Sequence, residues 1–585
     1  MMKKIKGIDN EKKADWLRYI ICLFPVLFFL ILNAYCFDTY YDLNDDITIR
    51  DLLSGAFTGS PNAHTVFMRY AISFFIALLY RLFPSVSWFG VCEIALLALS
   101  CFVINISISR LTKKRHLQIL MSITGTFIFQ AVLMYQIIFV QYSVVSGVLA
   151  TAGIVCFFFS DGADGKIRTS SIVTSIVLFA LSFCVRTNIF LLISPFVFVS
   201  IVIKLLIQDK KTKKELIKKV LLSIASFTGI VLVIAIVDII AYSSEGWHEY
   251  AKFNDYETTL YDFQKDAPWY MFHPEIYDEI GFTESEAQII VDNNLQFTDK
   301  IDTAILGKVV DYNENVLGKG YFAIGIKEAI TFYFYTLHKT KECKYCYLIL
   351  ALYTFLIIVA IAKRKYIYLP AALSVFAARS VGWMYLILRG RVKDRVTVPL
   401  CFCEVMILTC LLIKLTYDEK KVFVFIAITC ILLTIMYPMF RRTLKDTNTE
   451  YALRVEKDKG WKAYKEYCDS HSDSFYLMDL ISNIDFSEKM FAEPDNRLTN
   501  YALCGGWLSK APAFDEKLMQ YGIDAVDEAI LNRNDVYFVS IDFREMNWLS
   551  GYYKDRGYDV SCDEIDRIYI SDSEYYVVFK VVELK

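Results

Sequence analysis

The chain of 585 residues is 55% apolar, 16% aromatic and only 22% charged, with a mean hydropathy of +0.38. Soluble globular proteins average roughly 45–50% apolar and 25% charged, and the apolar residues here fall in blocks of about twenty, the length that spans a bilayer core of ~30 Å. A formal net charge of −2 leaves no basic footprint for nucleic acid. Soluble enzymes, secreted disulfide scaffolds and disordered tails are excluded, and the composition is that of a polytopic membrane protein.

Apolar runs bounded by charge predict eleven spans, near 16–36, 87–109, 117–135, 140–160, 171–185, 189–207, 219–241, 345–362, 367–388, 396–416 and 422–440. The first run follows Lys3, Lys4, Lys6, Lys12 and Lys13 without a small-residue cleavage site and reads as a retained helix. Residues 64–83 are apolar enough to cross, but a crossing would put Arg110, Lys113, Lys114 and Arg115 on the side opposite the N-terminus. As an interfacial amphipathic helix, which Arg69 and Arg81 suit, the segment leaves that cluster cytoplasmic. Lys166, Arg168, the Lys-rich stretch 210–219, Lys363–Arg364–Lys365, Lys420 and Lys421 then share its side, as the positive-inside bias requires. The N-terminus is expected in the cytoplasm, with loop 37–86, loop 242–344 and residues 441–585 outside.

Two parts follow: a transmembrane domain over 1–440 and an extracytoplasmic α/β domain over 441–585. In loop 242–344, Thr283 with Glu286 three residues on forms a capping box at a helix start. Residues 321–337, apolar but broken by Lys327 and Glu328, are expected on the membrane surface. The tail reads as a polar helix (450–468) and strands at 475–481, 536–541 and 575–583, with a Gly505–Gly506 turn between the first two strands. Most of the fifteen cysteines lie in predicted helices as small apolar residues. Cys343 and Cys346 form a CxxC without a second pair, a weak metal signal, and Cys468, Cys504 and Cys562 are an odd number for a disulfide framework.

The densest polar feature follows the first span: Asp38, Asp42, Asn44, Asp45, Asp46, Arg50 and Asp51. Adjacent Asp45 and Asp46 cannot both ionise freely in a partly dehydrated site, since like charges raise one pKa. One carboxylate is then suited to general-base work, the other to orienting a group or a cation; a solvated acidic loop is the plainer alternative. Gly55, Gly59, Pro61, Asn62 and His64 fold the loop back toward the membrane. Arg389, Arg391, Lys393 and Arg395 depart from the orientation rule, in the short external connector RGRVKDR. An external phosphate accounts for them, because guanidinium forks match phosphate oxygens; anchoring to anionic headgroups is the alternative. Glu93, Asp238, Arg379 and Glu404, inside apolar runs, are expected to line a cavity open to the outside, with Arg379 and Glu404 able to pair. Arg186, in the turn RTN, is a further candidate phosphate ligand.

This constellation resembles the GT-C superfamily of integral membrane glycosyltransferases, in particular uncharacterised bacterial proteins of that type from cell-envelope loci. The resemblance rests on Asp45–Asp46, on the SG-x₃-G-x-P-x₂-H stretch from Ser54 to His64, and on the surface helix leading to Trp88. Its specific motif is confined to about residues 42–90. The chain departs from the protein mannosyltransferase pattern of Asp-Glu followed by His-Pro-Pro, having Asp-Asp and then Pro61-Asn62-Ala63-His64, so the acceptor class is not carried over.

The resemblance implies a GT-C-like fold and transfer of a sugar from a polyprenyl-phosphate-linked donor to a cell-wall or surface polysaccharide acceptor on the outer membrane face, with inversion. On that reading Asp45 and Asp46 are catalytic and also suit a divalent cation, Mg or Mn. His64, Arg186, Arg379, Arg389, Arg391 and Arg395 bind substrate. The rivals are a transporter or flippase of lipid-linked saccharides, an O-antigen-type polymerase or ligase, and an inactive scaffold. Transporters typically show repeat halves and broken helices at the midplane, whereas the polar groups here gather on one side.

Overall fold

The computed structural model describes residues 2–162, 165–339, 343–418, 422–483, 486–492, 494, 496–571 and 573–584. Among these, nine helices are long and apolar enough to cross a membrane, and each overlaps an expected span. The remaining two runs form shorter helices, Tyr142–Phe158 and Thr169–Val185, of seventeen residues each. At 1.5 Å per residue these are about 25 Å long, the lower end of what a span needs. Every residue of Tyr142–Phe158 is buried, because this helix forms the centre of the bundle, against Trp88–Ser109, Thr169–Val185 and Asp394–Thr416. Outer helices instead expose large apolar side chains such as Phe24, Ile31, Leu222 and Ile239, the surface a lipid environment covers. The protein is a multi-pass membrane protein.

The disputed segment forms the helix Tyr70–Leu82, thirteen residues and therefore about 20 Å long, too short to cross. Asp238 pins its start: Oδ1 accepts from the Tyr70 N–H at 2.9 Å, while Oδ2 pairs with Arg69 Nη1 at 2.8 Å. At the other end of the bundle, Lys204 and Lys414 converge on Asp161 at 3.2 and 2.7 Å. The cationic residues Lys3, Lys4, Lys6, Lys12 and Lys13 carry side chains outside the described set, and so do Lys420 and Lys421.

The expected break at residue 441 falls inside one continuous helix, Val422–Ser470. Residues 441–450 (RRTLKDTNTE) contain neither Gly nor Pro, so nothing stops the last membrane helix from running into the polar one. Beyond it lies a five-stranded sheet in the order Tyr501–Leu503, Phe475–Met478, Val536–Ile541, Tyr575–Glu583, Val560–Tyr569. The first three strands are parallel and the last two antiparallel. Two of these strands escaped the sequence reading for different reasons. Tyr501–Leu503 is three residues long, and Val560–Tyr569 is a largely exposed, charge-rich edge with a bulge between Glu564 and Asp566, a common protection of free edges.

One face of this sheet packs on the end of the long helix through Trp461, Tyr464 and Cys468. The other shares a core with loop 242–344, where Phe297 meets Phe538, Trp548 and Tyr552. The Thr283–Glu286 capping box forms in that loop, with bonds of 2.9 and 3.3 Å. Leu52 and Phe57 join the same core, so loop and tail are clamped over the segment that follows the first span.

Candidate active site

The acidic motif is the start of a helix, Asn44–Ser54, whose Ile47, Ile49, Leu52 and Leu53 are buried while Asp45 stays half-buried on the other side. Gly55 ends it at φ +90°, where an added Cβ would lie 2.7 Å from the Ser60 carbonyl carbon, so the reversal toward Pro61 needs glycine. Just before the helix, Tyr40–Tyr41 pairs in parallel with Phe139–Val140. The Met490 N–H also reaches the Thr39 carbonyl at 2.8 Å. The acidic helix is thereby fixed between the bundle and the tail.

The acidic residues differ in what holds them. Asp42 pairs with Arg454 at 3.0 Å, and burial pushes its carboxyl up to about 6 against the pull of Arg454 and Arg395. Asp46 is fully buried and accepts the Tyr142 N–H at 3.2 Å, at the N-terminus of the central helix, where a carboxylate is favoured. Its other oxygen has no partner among the described residues. Burial holds Asp46 well above the usual carboxylate range; the Tyr142 N–H opposes this, and the charges of Asp45 and Asp42 add to it. Asp45 accepts no hydrogen bond and forms no ion pair among the described residues. Burial raises its pKa, opposed by the positive charges of Arg395, Arg186 and Arg391.

Three of the expected arginines therefore act on the same carboxylate, although they come from connectors some two hundred residues apart. Arg186 lies over the rings of Phe67 and Tyr142, at 4.7 and 5.3 Å. Arg391 is held by Asp262 at 2.7 Å. Arg395 is half-buried and has no contact-distance partner among the described residues, while its charge reaches Asp42, Asp45 and Asp46.

The other expected ligands are spent elsewhere. Arg389 is sandwiched by Phe263 and Tyr321, at 3.8 and 3.6 Å, and donates to the Tyr321 carbonyl at 2.5 Å. Arg379 forms a buried ion pair with Glu404 at 2.9 Å, and Tyr353 donates to the same carboxylate at 2.8 Å. A guanidinium enclosed among helices needs a counter-ion there, and both residues of this pair are buried in the helix packing. Asp238 is likewise committed to the surface helix. His64 stacks on Trp247 at 4.7 Å, with Nε2 3.2 Å from the Ala241 carbonyl, and burial lowers its pKa. Cys346 is buried beside Arg379, and the Cys343 side chain lies outside the described residues. Glu93 is buried with both oxygens unpartnered among the described residues.

Two features of the site have no signature in local sequence. The first is a hub around buried Glu488, which receives Arg50 Nη1 at 2.6 Å, Trp461 Nε1 at 2.9 Å and Lys465 Nζ at 3.2 Å. It ties the tail to the acidic helix. The second is a cleft of about 70 Å³ between that helix and the tail, lined by Asn44, Asp45 and Thr48 of the helix and by Trp461, Tyr501 and Trp507 of the tail. For a metal ion, Asp45 and Asp46 supply two carboxylates, and no three His, Cys, Asp or Glu side chains converge as a metal site among the described residues.

No family model matches the chain, and no curated protein matches it. Two solved structures are similar to it over nearly the whole length. ArnT from Cupriavidus metallidurans in the apo state is 10% identical with a TM-score of 0.40, covering 97% of this chain and 98% of that one. The same protein bound to undecaprenyl phosphate is 12% identical with a TM-score of 0.37 and the same coverage.

Proposed function

We propose that this protein transfers a sugar from a polyprenyl-phosphate-linked donor to a cell-envelope acceptor on the outer face of the membrane, inverting the anomeric centre. The observation that carries the reading is the uncommitted Asp45 carboxylate under the charges of Arg186, Arg391 and Arg395. Asp45 takes the proton of an acceptor hydroxyl as that oxygen bonds to the anomeric carbon. The bond from that carbon to the phosphate oxygen breaks on the opposite face, and its electron pair leaves with the lipid phosphate. The three arginines stabilise the charge that grows there. Asp46, held by the central helix, fixes the position of its neighbour. No step is assigned to Mg or Mn.

Charge and length together support the outer-face location. The helix Tyr70–Leu82 is too short to cross, so Arg110, Lys113, Lys114 and Arg115 fall on the N-terminal side with Lys166 and Arg168. Eleven crossings then leave the tail outside. Transfer is favoured over translocation because Arg379, Glu404 and Asp238, ionisable residues of the membrane helices, are tied into static pairs, while the uncommitted groups gather at one end. Membranes with and without the protein, given a radiolabelled lipid-linked sugar, test the reading. Label entering polymer together with release of lipid phosphate is expected; label that changes sides while still attached to its lipid would reject it.

A further inference from the structure

The cleft between the acidic helix and the tail has a lining that states its ligand chemistry. It is a small cleft, of about 70 Å³. One wall carries an amide, a carboxylate and a hydroxyl, from Asn44, Asp45 and Thr48. The facing wall is aromatic, built by Trp461, Tyr501 and Trp507 of the tail. An alkyl chain would leave the Asn44 amide and the Asp45 carboxylate on the polar wall without partners. A phosphate would meet the carboxylates of Asp45 and Asp51, both of which line the cleft. A neutral ring with apolar C–H faces and peripheral hydroxyls satisfies both walls at once.

The aromatic wall is held by contacts that leave little play. Trp461 packs on the tilted ring of Phe486 at 4.2 Å and is anchored through its N–H by Glu488. Trp507 follows the Gly505–Gly506 turn, where an added Cβ on Gly505 would lie 1.6 Å from the Asn293 carbonyl oxygen. That turn is therefore pressed against loop 242–344. Trp507 packs on Phe67 at 4.8 Å, the ring that also carries the Arg186 guanidinium. None of the three arginines lines the cleft; Asp45 alone belongs both to it and to their field. An occupant of the cleft thus reaches Asp45 by a route separate from the cationic one, as an attacking hydroxyl must relative to a departing phosphate.

We infer that this cleft is the acceptor site and takes a pyranose ring of a saccharide, with the tail's Trp507 as its principal stacking platform. The inference rests on the transferase reading for the word acceptor, and on the walls alone for saccharide.

The full-length protein in nanodiscs is titrated by calorimetry with a panel of methyl hexopyranosides and disaccharides, and separately with undecaprenyl phosphate. Trp507→Ala is expected to weaken glycoside binding at least tenfold while shifting undecaprenyl phosphate binding less than threefold, and Trp507→Phe to restore most of the loss. Should Trp507→Ala fold poorly, Asn44→Ala on the opposite wall is expected to weaken glycosides about threefold or more. Glycoside binding unchanged in these variants, or absent from the wild type, overturns the inference. Displacement of a bound glycoside by a polyprenyl-phosphate-linked hexose would give the cleft to the donor's sugar and overturn the acceptor assignment. Glycoside binding by a protein that releases no lipid phosphate from any donor would defeat the transferase reading and leave the saccharide cleft standing.

Discussion

Replacing Glu488 by Gln is expected to loosen the tail from the acidic helix, by an amount the site itself sets. Burial alone would raise the Glu488 carboxyl, but the Arg50 guanidinium and Lys465 ammonium, with the Arg50 and Trp461 hydrogen bonds, bring it from the ordinary 4.5 down to about 2. Each tenfold change in proton affinity corresponds to about 1.4 kcal/mol, so the ionised carboxylate contributes about 3 kcal/mol to the native state at neutral pH. Because the native pKa is depressed, that contribution is fully present above pH 4.5 and is lost as the pH falls toward 2. Urea titration of the full chain in nanodiscs, followed by tryptophan fluorescence, reads the tail's transition. At pH 7 the Gln variant should lose about 3 kcal/mol, a gap that narrows steadily below pH 4.5. Equal stabilities at pH 7, or a gap that stays constant down to pH 3, would refute the reasoning.

Three further outcomes follow from the same geometry. Since burial raises the Asp45 pKa and only its ionised form accepts a proton, the transfer rate should fall on acidification at a pH above the ordinary aspartate value of 3.8; a profile flat down to pH 4 would contradict this. Arg395→Ala should lower lipid-phosphate release by roughly 10²-fold, the typical effect of removing one preorganised donor, as measured with a radiolabelled donor. Gly505→Ala places a Cβ against the Asn293 carbonyl oxygen, so limited proteolysis should cut the tail of that variant faster than the wild type's.

The sequence was most informative where the physics is local. The spans are legible because bilayer thickness sets a minimum apolar length for a crossing, and the short helix Tyr70–Leu82 because Arg69 and Arg81 bound its apolar run. The cap at Thr283 needed only residues three apart. Asp45 and Asp46 are legible as an adjacent pair, Arg391 and Arg395 as part of a dense basic connector, and Arg186 as the cation of a short turn. What periodicity and charge rules cannot supply is a partner. Arg379 and Arg389 carry the same charge as Arg395, yet Glu404 occupies one and two aromatic rings the other. His64 followed the acidic motif in sequence but is enclosed by Trp247 and Tyr242. Glu488, Trp461 and Trp507 lie more than four hundred residues from Arg50 and Asp45, and only the long helix Val422–Ser470 and the shared core bring them back over the acidic helix.

The most direct test of the central claim is single-turnover release of polyprenyl phosphate by purified wild-type and Asp45→Asn protein with acceptor present. Loss of a general base typically costs ~10²–10⁴ in rate, and a fall in that range, with donor binding retained, is the result this account predicts. Release by Asp45→Asn within twofold of the wild type would contradict it.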